Sequence, residues 1–100
     1  MRSDSVKEES DYLAASVSIP FSTHPFTDLQ GQYLAFIHAY TKLNRRPPAE
    51  ADMQRYFGTT PPTVHRMVLE LERRGLIRRS AGQARSIELL LAPELLPVLR

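Results

Sequence analysis

Apolar side chains recur along this chain at helical spacing in three stretches and then switch to alternation. Leu29, Tyr33, Phe36, Ile37 and Tyr40 fall on one face of a helix that runs through about Leu43. Thr27 and Gln30 have the spacing of a capping box, and Asp28 adds a carboxylate to the first turn. Asn44 is the expected stop, because Arg45-Arg46-Pro47-Pro48 cannot continue a helix. A shorter helix is expected from about Ala49 to Phe57, with Ala51, Met53 and Phe57 as its apolar surface and Gly58 as its terminator. Thr60 can cap a third helix, with Pro61 at the first position, where a missing N–H costs nothing. Val64, Met67, Val68 and Leu71 then recur at i, i+3, i+4 and i+7, which places His65, Arg66, Leu69 and Arg73 away from the core. Gly75 closes this helix behind Arg73-Arg74.

Beyond Gly75 the period shortens to that of strands. Leu76 to Arg79 is a strand candidate, Ser80-Ala81-Gly82-Gln83 a turn, and Ile87, Leu89 and Leu91 alternate with Glu88 and Leu90. A hairpin alone is marginal in water, so this one must dock on the helices. Pro93 and Pro97 limit residues 92–100, a short apolar tail, to at most one helical turn. At the other end, residues 1–25 are rich in Ser and acids and lack sustained periodicity, which predicts a flexible N-terminal arm. Within it only Tyr12-Leu13 and Val17 to Phe21 hint at local order. The folded domain is therefore expected over residues 26–91. Its fold class is mainly α with a small β-hairpin.

Composition narrows the function. One hundred residues leave room for one core, and the absence of Cys removes disulfides, thiolate zinc sites and cysteine nucleophiles. No apolar run exceeds five residues, as in Leu89 to Pro93, so no membrane span is expected. Asp4, Glu8, Glu9 and Asp11 occupy the place of a signal peptide, and the expected location is cytoplasmic. The net charge of +2 says little until it is divided along the chain. Residues 1–20 then carry −2, residues 21–58 carry +1, and residues 59–91 carry +3, with all the basic residues of that third segment Arg. Arg is the side chain suited to phosphate forks and guanine edges.

Three helices with a tight turn between the second and third, followed by a hairpin, make the winged helix-turn-helix layout. In that layout the N-terminal end of the third helix is free to enter the major groove of duplex DNA, and its first-turn N–H groups can face a phosphate. Phe26-Thr27-x-x-Gln30, the Phe36-Ile37 pair, Pro47-Pro48, Met53, Gly58, Leu71-Glu72-Arg73-Arg74-Gly75-Leu76-Ile77 and Arg85-x-Ile87-x-Leu89 follow one another in order. Over roughly residues 26–91 this order resembles the N-terminal DNA-binding domain of the LexA repressor family. The Leu-Glu-Arg-Arg-Gly-Leu-Ile stretch is shared with winged-helix regulators of the MarR type. The resemblance implies a transcriptional regulator that binds double-stranded DNA. Arg45 and Ala49 depart from the Gly and Thr usual in that family, and losing a Thr cap typically costs about 1 kcal/mol. Thr60-Pro61-Pro62 replaces the usual Ser-Pro or Ser-Arg, and two prolines remove two N–H donors. The family's self-cleaving peptidase domain is not expected in a chain of this length.

Arg66 is the candidate for a two-point contact with guanine, against the plainer reading of a surface Arg paired with Glu70. Thr60, Pro62, Thr63 and His65 are the candidate groove-facing neighbours. Arg79 and Arg85 on the wing are expected on phosphate because nothing in the core needs them, and Arg45 and Arg46 are candidates for the same role. Arg73 and Arg74 serve the helix C-terminus. Leu69 lies on the exposed side of the third helix, where it meets thymine methyls or packs against the arm or another subunit. The apolar tails are the candidate surface for a homodimer. His24, His38 and His65 lack ligand spacing, so no metal is expected. No nucleophile motif or phosphate loop is present, so neither catalysis nor a cofactor is expected. No effector pocket is evident in a domain of this size. The alternative function is a winged-helix module for protein–protein interaction without DNA binding, using Leu69 and the tails.

Overall fold

The structure is a computed structural model that describes residues 25–100. The expected arm, with Tyr12-Leu13, Val17 to Phe21 and His24, lies outside the described residues apart from Pro25. The order of elements is helix α1 (Asp28–Asn44), helix α2 (Glu50–Phe57), helix α3 (Pro61–Arg73), strand β1 (Ile77–Arg78), strand β2 (Glu88–Leu89) and a 3-10 turn at Pro93–Leu95. Three helices and a two-stranded antiparallel hairpin are thus the fold read from the sequence. The hairpin pairs Ile77 with Leu89 and Arg78 with Glu88.

Local chemistry explains most of the boundaries. The capping box closes α1: the Gln30 N–H donates to the Thr27 hydroxyl at 3.1 Å and the Thr27 N–H to the Gln30 side chain at 3.0 Å. Helix α2 lacks a side-chain cap at Ala49, and Asp52 supplies the other half of a box by accepting the Ala49 N–H at 2.8 Å. Gly58 and Gly75 both adopt left-handed backbone, which a Cβ would penalise. At Gly75 the Leu76 N–H returns to the Leu71 carbonyl, and both side chains are buried, so the end of α3 is a Schellman motif with its apolar contact. Thr60 occupies the N-cap position of α3, but its hydroxyl donates to the Thr63 hydroxyl at 2.9 Å instead of capping the backbone. Pro61 and Pro62 remove the N–H donors of the first two helical positions, which leaves only that of Thr63 as a capping donor.

The core is made by Tyr33, Leu34, Phe36 and Ile37 of α1, Met53 of α2, Val64, Val68 and Leu71 of α3, and Leu76, Ile77 and Ile87 of the hairpin. Tyr33 stacks on Phe57 with centroids 4.1 Å apart and planes 7° apart, which seats the end of α2 on α1. Burial pushes the Tyr33 phenol above its ordinary pKa. Leu29, expected on the core face, is 54% exposed. At that end α1 is covered by Phe26 and the C-terminal tail, which gather around Gly31 and leave Leu29 outside. A Cβ at Gly31 would lie 2.9 Å from the Phe26 ring and 3.0 Å from Pro97.

The tail docks on its own chain. Leu96 and Leu99 pack against the core. Buried Gln32 donates to the Val98 carbonyl at 2.9 Å and accepts the Arg100 N–H at 2.8 Å, while the Tyr56 hydroxyl donates to the Arg100 carbonyl. Two of the apolar residues expected as a self-association surface are therefore committed within the chain. Leu95 and Val98 remain exposed.

Candidate nucleic-acid interface

Helix α3 divides as an amphipathic helix should. Val64, Val68 and Leu71 are buried, Met67 is half-buried, and Pro61, Pro62, His65, Arg66, Leu69 and Arg73 face solvent. Thr63 is half-buried, its hydroxyl tied to Thr60. The end of α3 that bears the candidate base-reading residues follows directly on the turn Gly58 to Thr60, with Pro62 and Arg66 one turn apart on the same exposed stripe.

Five of the six arginines of residues 59–91 are ion-paired inside the fold. Arg73 and Arg74 both bond the Glu70 carboxylate, at 2.6 and 2.9 Å, and hold its pKa down to about 2. Arg78 and Glu88, cross-strand partners in the hairpin, approach to 2.7 Å. Arg79 donates to Glu72 at 3.1 Å and is only 20% exposed. Arg85 donates to the Tyr40 hydroxyl at 3.0 Å and the Pro47 carbonyl at 3.3 Å, and lies 3.1 Å from the Asp52 carboxylate. The premise that nothing in the core needs Arg79 or Arg85 is thus corrected. Both carboxylate partners lie in other elements, brought near only by folding.

Arg66 is left over. Glu70, its expected partner at i+4, is taken by Arg73 and Arg74, and among the described residues no carboxylate pairs with Arg66. Arg45 and Arg46 are exposed in the turn between α1 and α2, likewise without an ion pair among the described residues. Arg45 caps α1 in left-handed backbone (φ 62°), its N–H donating to the Thr41 carbonyl at 2.8 Å. A Cβ residue in that conformation is strained by about 1–2 kcal/mol. His65 is exposed, with Nδ1 3.1 Å from the Glu50 carboxylate across the helix-turn-helix. When Nδ1 donates that bond, Nε2 of the neutral ring is an acceptor.

Asp52 joins these elements and was missed in the sequence. Its carboxylate, 8% exposed, caps α2 through Ala49, pairs with Arg55 at 2.5 Å and meets Arg85 of the wing at 3.1 Å. Burial raises the pKa of this carboxyl, but the Ala49 N–H and the Arg85 and Arg55 guanidiniums together outweigh burial and hold it below the usual carboxylate range. The Ala49-x-x-Asp52 spacing was a local signal for the cap. Nothing in the sequence joined Asp52 to Arg85, 33 residues away. The exposed wing tip, Ser80 to Ala84, carries no charged side chain.

Among the described residues no three His, Cys, Asp or Glu side chains are grouped to hold a metal, and no helix is long and apolar enough to cross a membrane. Residues 23–86 match the model of the LexA DNA binding domain. The LexA repressor of Thermosipho africanus is 38% identical over 68 residues, which is 68% of this chain and 34% of that protein. The LexA repressor of Ruegeria sp. is 37% identical over 69 residues, covering 68% of this chain and 29% of its own length. That of Bartonella quintana is 36% identical over 66 residues, covering 65% and 28% respectively. The chain spans about a third of the length of these curated relatives. With its fold and its sequence in agreement, the chain belongs to the LexA DNA-binding domain family.

Proposed function

We propose that this chain binds double-stranded DNA in a sequence-specific manner as part of a LexA-like transcriptional regulator, with α3 in the major groove and the wing beside the neighbouring backbone. The observation that carries this reading is Arg66: exposed on the first half of α3 and, among the described residues, free of any carboxylate. A guanidinium left unpaired amid paired ones has its fork available for a guanine edge. Pro62, Thr63 and His65 border it, and Thr60 lies where the turn meets the helix. Arg45 and Arg46 supply phosphate contacts from the turn before α2. Arg79 and Arg85, held by Glu72 and Asp52, position the wing, so its uncharged tip approaches the backbone through main-chain N–H groups.

The test is fluorescence anisotropy with a random-sequence duplex in low and moderate salt. Micromolar binding in low salt that weakens steeply as salt rises is expected. No binding at micromolar protein in low salt would leave the protein-interaction reading as the better one. Arg45→Gly sharpens the test, because Gly adopts left-handed backbone freely while losing the cation. This variant is expected to melt higher, by about 0.5–1 kcal/mol of stability, and to lower the salt slope by about one unit. An unchanged slope would remove Arg45 from the phosphate set.

A further inference from the structure

Between the C-terminal half of α1 and strand β2 lies a cavity of about 720 Å³, within the size range of small-molecule sites. One side is apolar, formed by Pro47, Ile87 and Leu89 over a floor at Ile37. The other is polar and comes from a single helix face, His38, Thr41 and Lys42, at i, i+3 and i+4. The remaining charged groups at its edge are already committed. Glu88 pairs with Arg78 at 2.7 Å and Arg85 lies 3.1 Å from Asp52. Lys42 has no ion pair among the described residues, and neither His38 nor Thr41 has a side-chain hydrogen bond among them. The uncompensated charge of the cavity is therefore one positive charge, beside two unused hydrogen-bonding side chains and an apolar wall.

We propose that this cavity is a binding site for a small apolar carboxylate, a flat aromatic or short aliphatic body ending in one anionic group. The body lies against Ile87, Leu89 and Pro47, and the carboxylate is met by the Lys42 ammonium and the Thr41 hydroxyl. His38 offers a ring nitrogen to a second polar substituent. A neutral ligand of the same shape gains the apolar contact but leaves the charge unanswered. A dicarboxylate meets Glu88 as well as Lys42 and is disfavoured. Because one wall belongs to α1 and the other to the hairpin, the occupied site fixes the spacing between wing and helix. It does not rest on DNA binding and is tested without DNA.

The probe is 2-naphthoate, titrated into the full chain up to about 5 mM and followed by backbone amide shifts, with 2-naphthalenemethanol as the neutral counterpart. Saturable shifts confined to residues around 38–42 and 86–89 are expected for both, with the carboxylate binding about fivefold tighter. Lys42→Met should abolish that preference while leaving the affinity for the alcohol within about twofold, a readout that general loss of structure would not give. Thr41→Trp, at an exposed helical position, should fill the cavity and remove binding of both probes. Shifts that do not saturate, that centre on another part of the molecule, or that show equal affinity for carboxylate and alcohol in the wild type would each overturn the proposal.

Discussion

Asp52→Ala lowers the stability of the domain by about 2–3 kcal/mol, a larger loss than a single surface carboxylate would suggest. About 1 kcal/mol of this is the cap of α2, since Ala49 itself has no group with which to replace it. The rest comes from Arg85, which would be left among Tyr40, Pro47 and the backbone without its carboxylate. For a domain of this size the melting midpoint should fall by about 10–20 °C, readable by circular dichroism. Arg46→Ala, exposed and without an ion pair among the described residues, should melt within a few degrees of the wild type and is the control. A midpoint for Asp52→Ala as close as that would show that the cap and wing pairing contribute little.

The same carboxylate gives the expectation a direction in pH. Its pKa is lower in the folded chain than the ordinary 3.8, so the folded state favours the ionised form. The stabilisation is therefore complete above the ordinary value and is lost as pH falls through the folded value. Asp52→Asn removes the charge at every pH, so the gap in stability between it and the wild type should narrow on acidification below about pH 4. A gap that stays constant into strong acid would mean that the charge of Asp52 does not contribute.

Arg66→Ala is expected to leave the melting midpoint unchanged and to relax DNA recognition at one base pair by about 1–3 kcal/mol. A preferred site is first selected from a randomised duplex pool with the wild-type chain, and both proteins are then measured on that site and on its single-position variants. The contrast lies in where the affinity goes. Loss of a phosphate-binding cation weakens all sequences alike, whereas loss of a base-reading fork flattens the preference at a single position. If Arg66→Ala lost as much affinity for random DNA as for the selected site, Arg66 would belong with the phosphate contacts. A palindromic preferred site would in addition imply two copies acting together.

These expectations differ in how far each was legible before folding. The capping box at Thr27 and Gln30, the glycine stops at Gly58 and Gly75, and the buried positions of α3 are relations among residues at most seven apart, and periodicity exposes them directly. Leu29 obeyed the same periodicity and is nevertheless exposed, because the period describes one face of a helix and not how far along it the neighbours reach. The carboxylate partners of the wing arginines were hidden for a related reason. Counting charge by segment finds an excess but cannot tell which guanidinium faces a carboxylate from another element.

By itself, then, the sequence determined the elements of this protein, their order, their ends and the apolar face each one buries, since these follow from backbone sterics and interactions within one or two turns. It also carried the family pattern along residues 26–91. Only the tertiary structure decided which charges remain available. It joined Asp52 to Arg85 and Glu72 to Arg79, left Arg66 without a carboxylate among the described residues, laid the apolar tail on Gln32 and opened a cavity between α1 and the wing. Such pairings join residues from separate elements, and electrostatic attraction acts over a few ångströms of space regardless of distance along the chain.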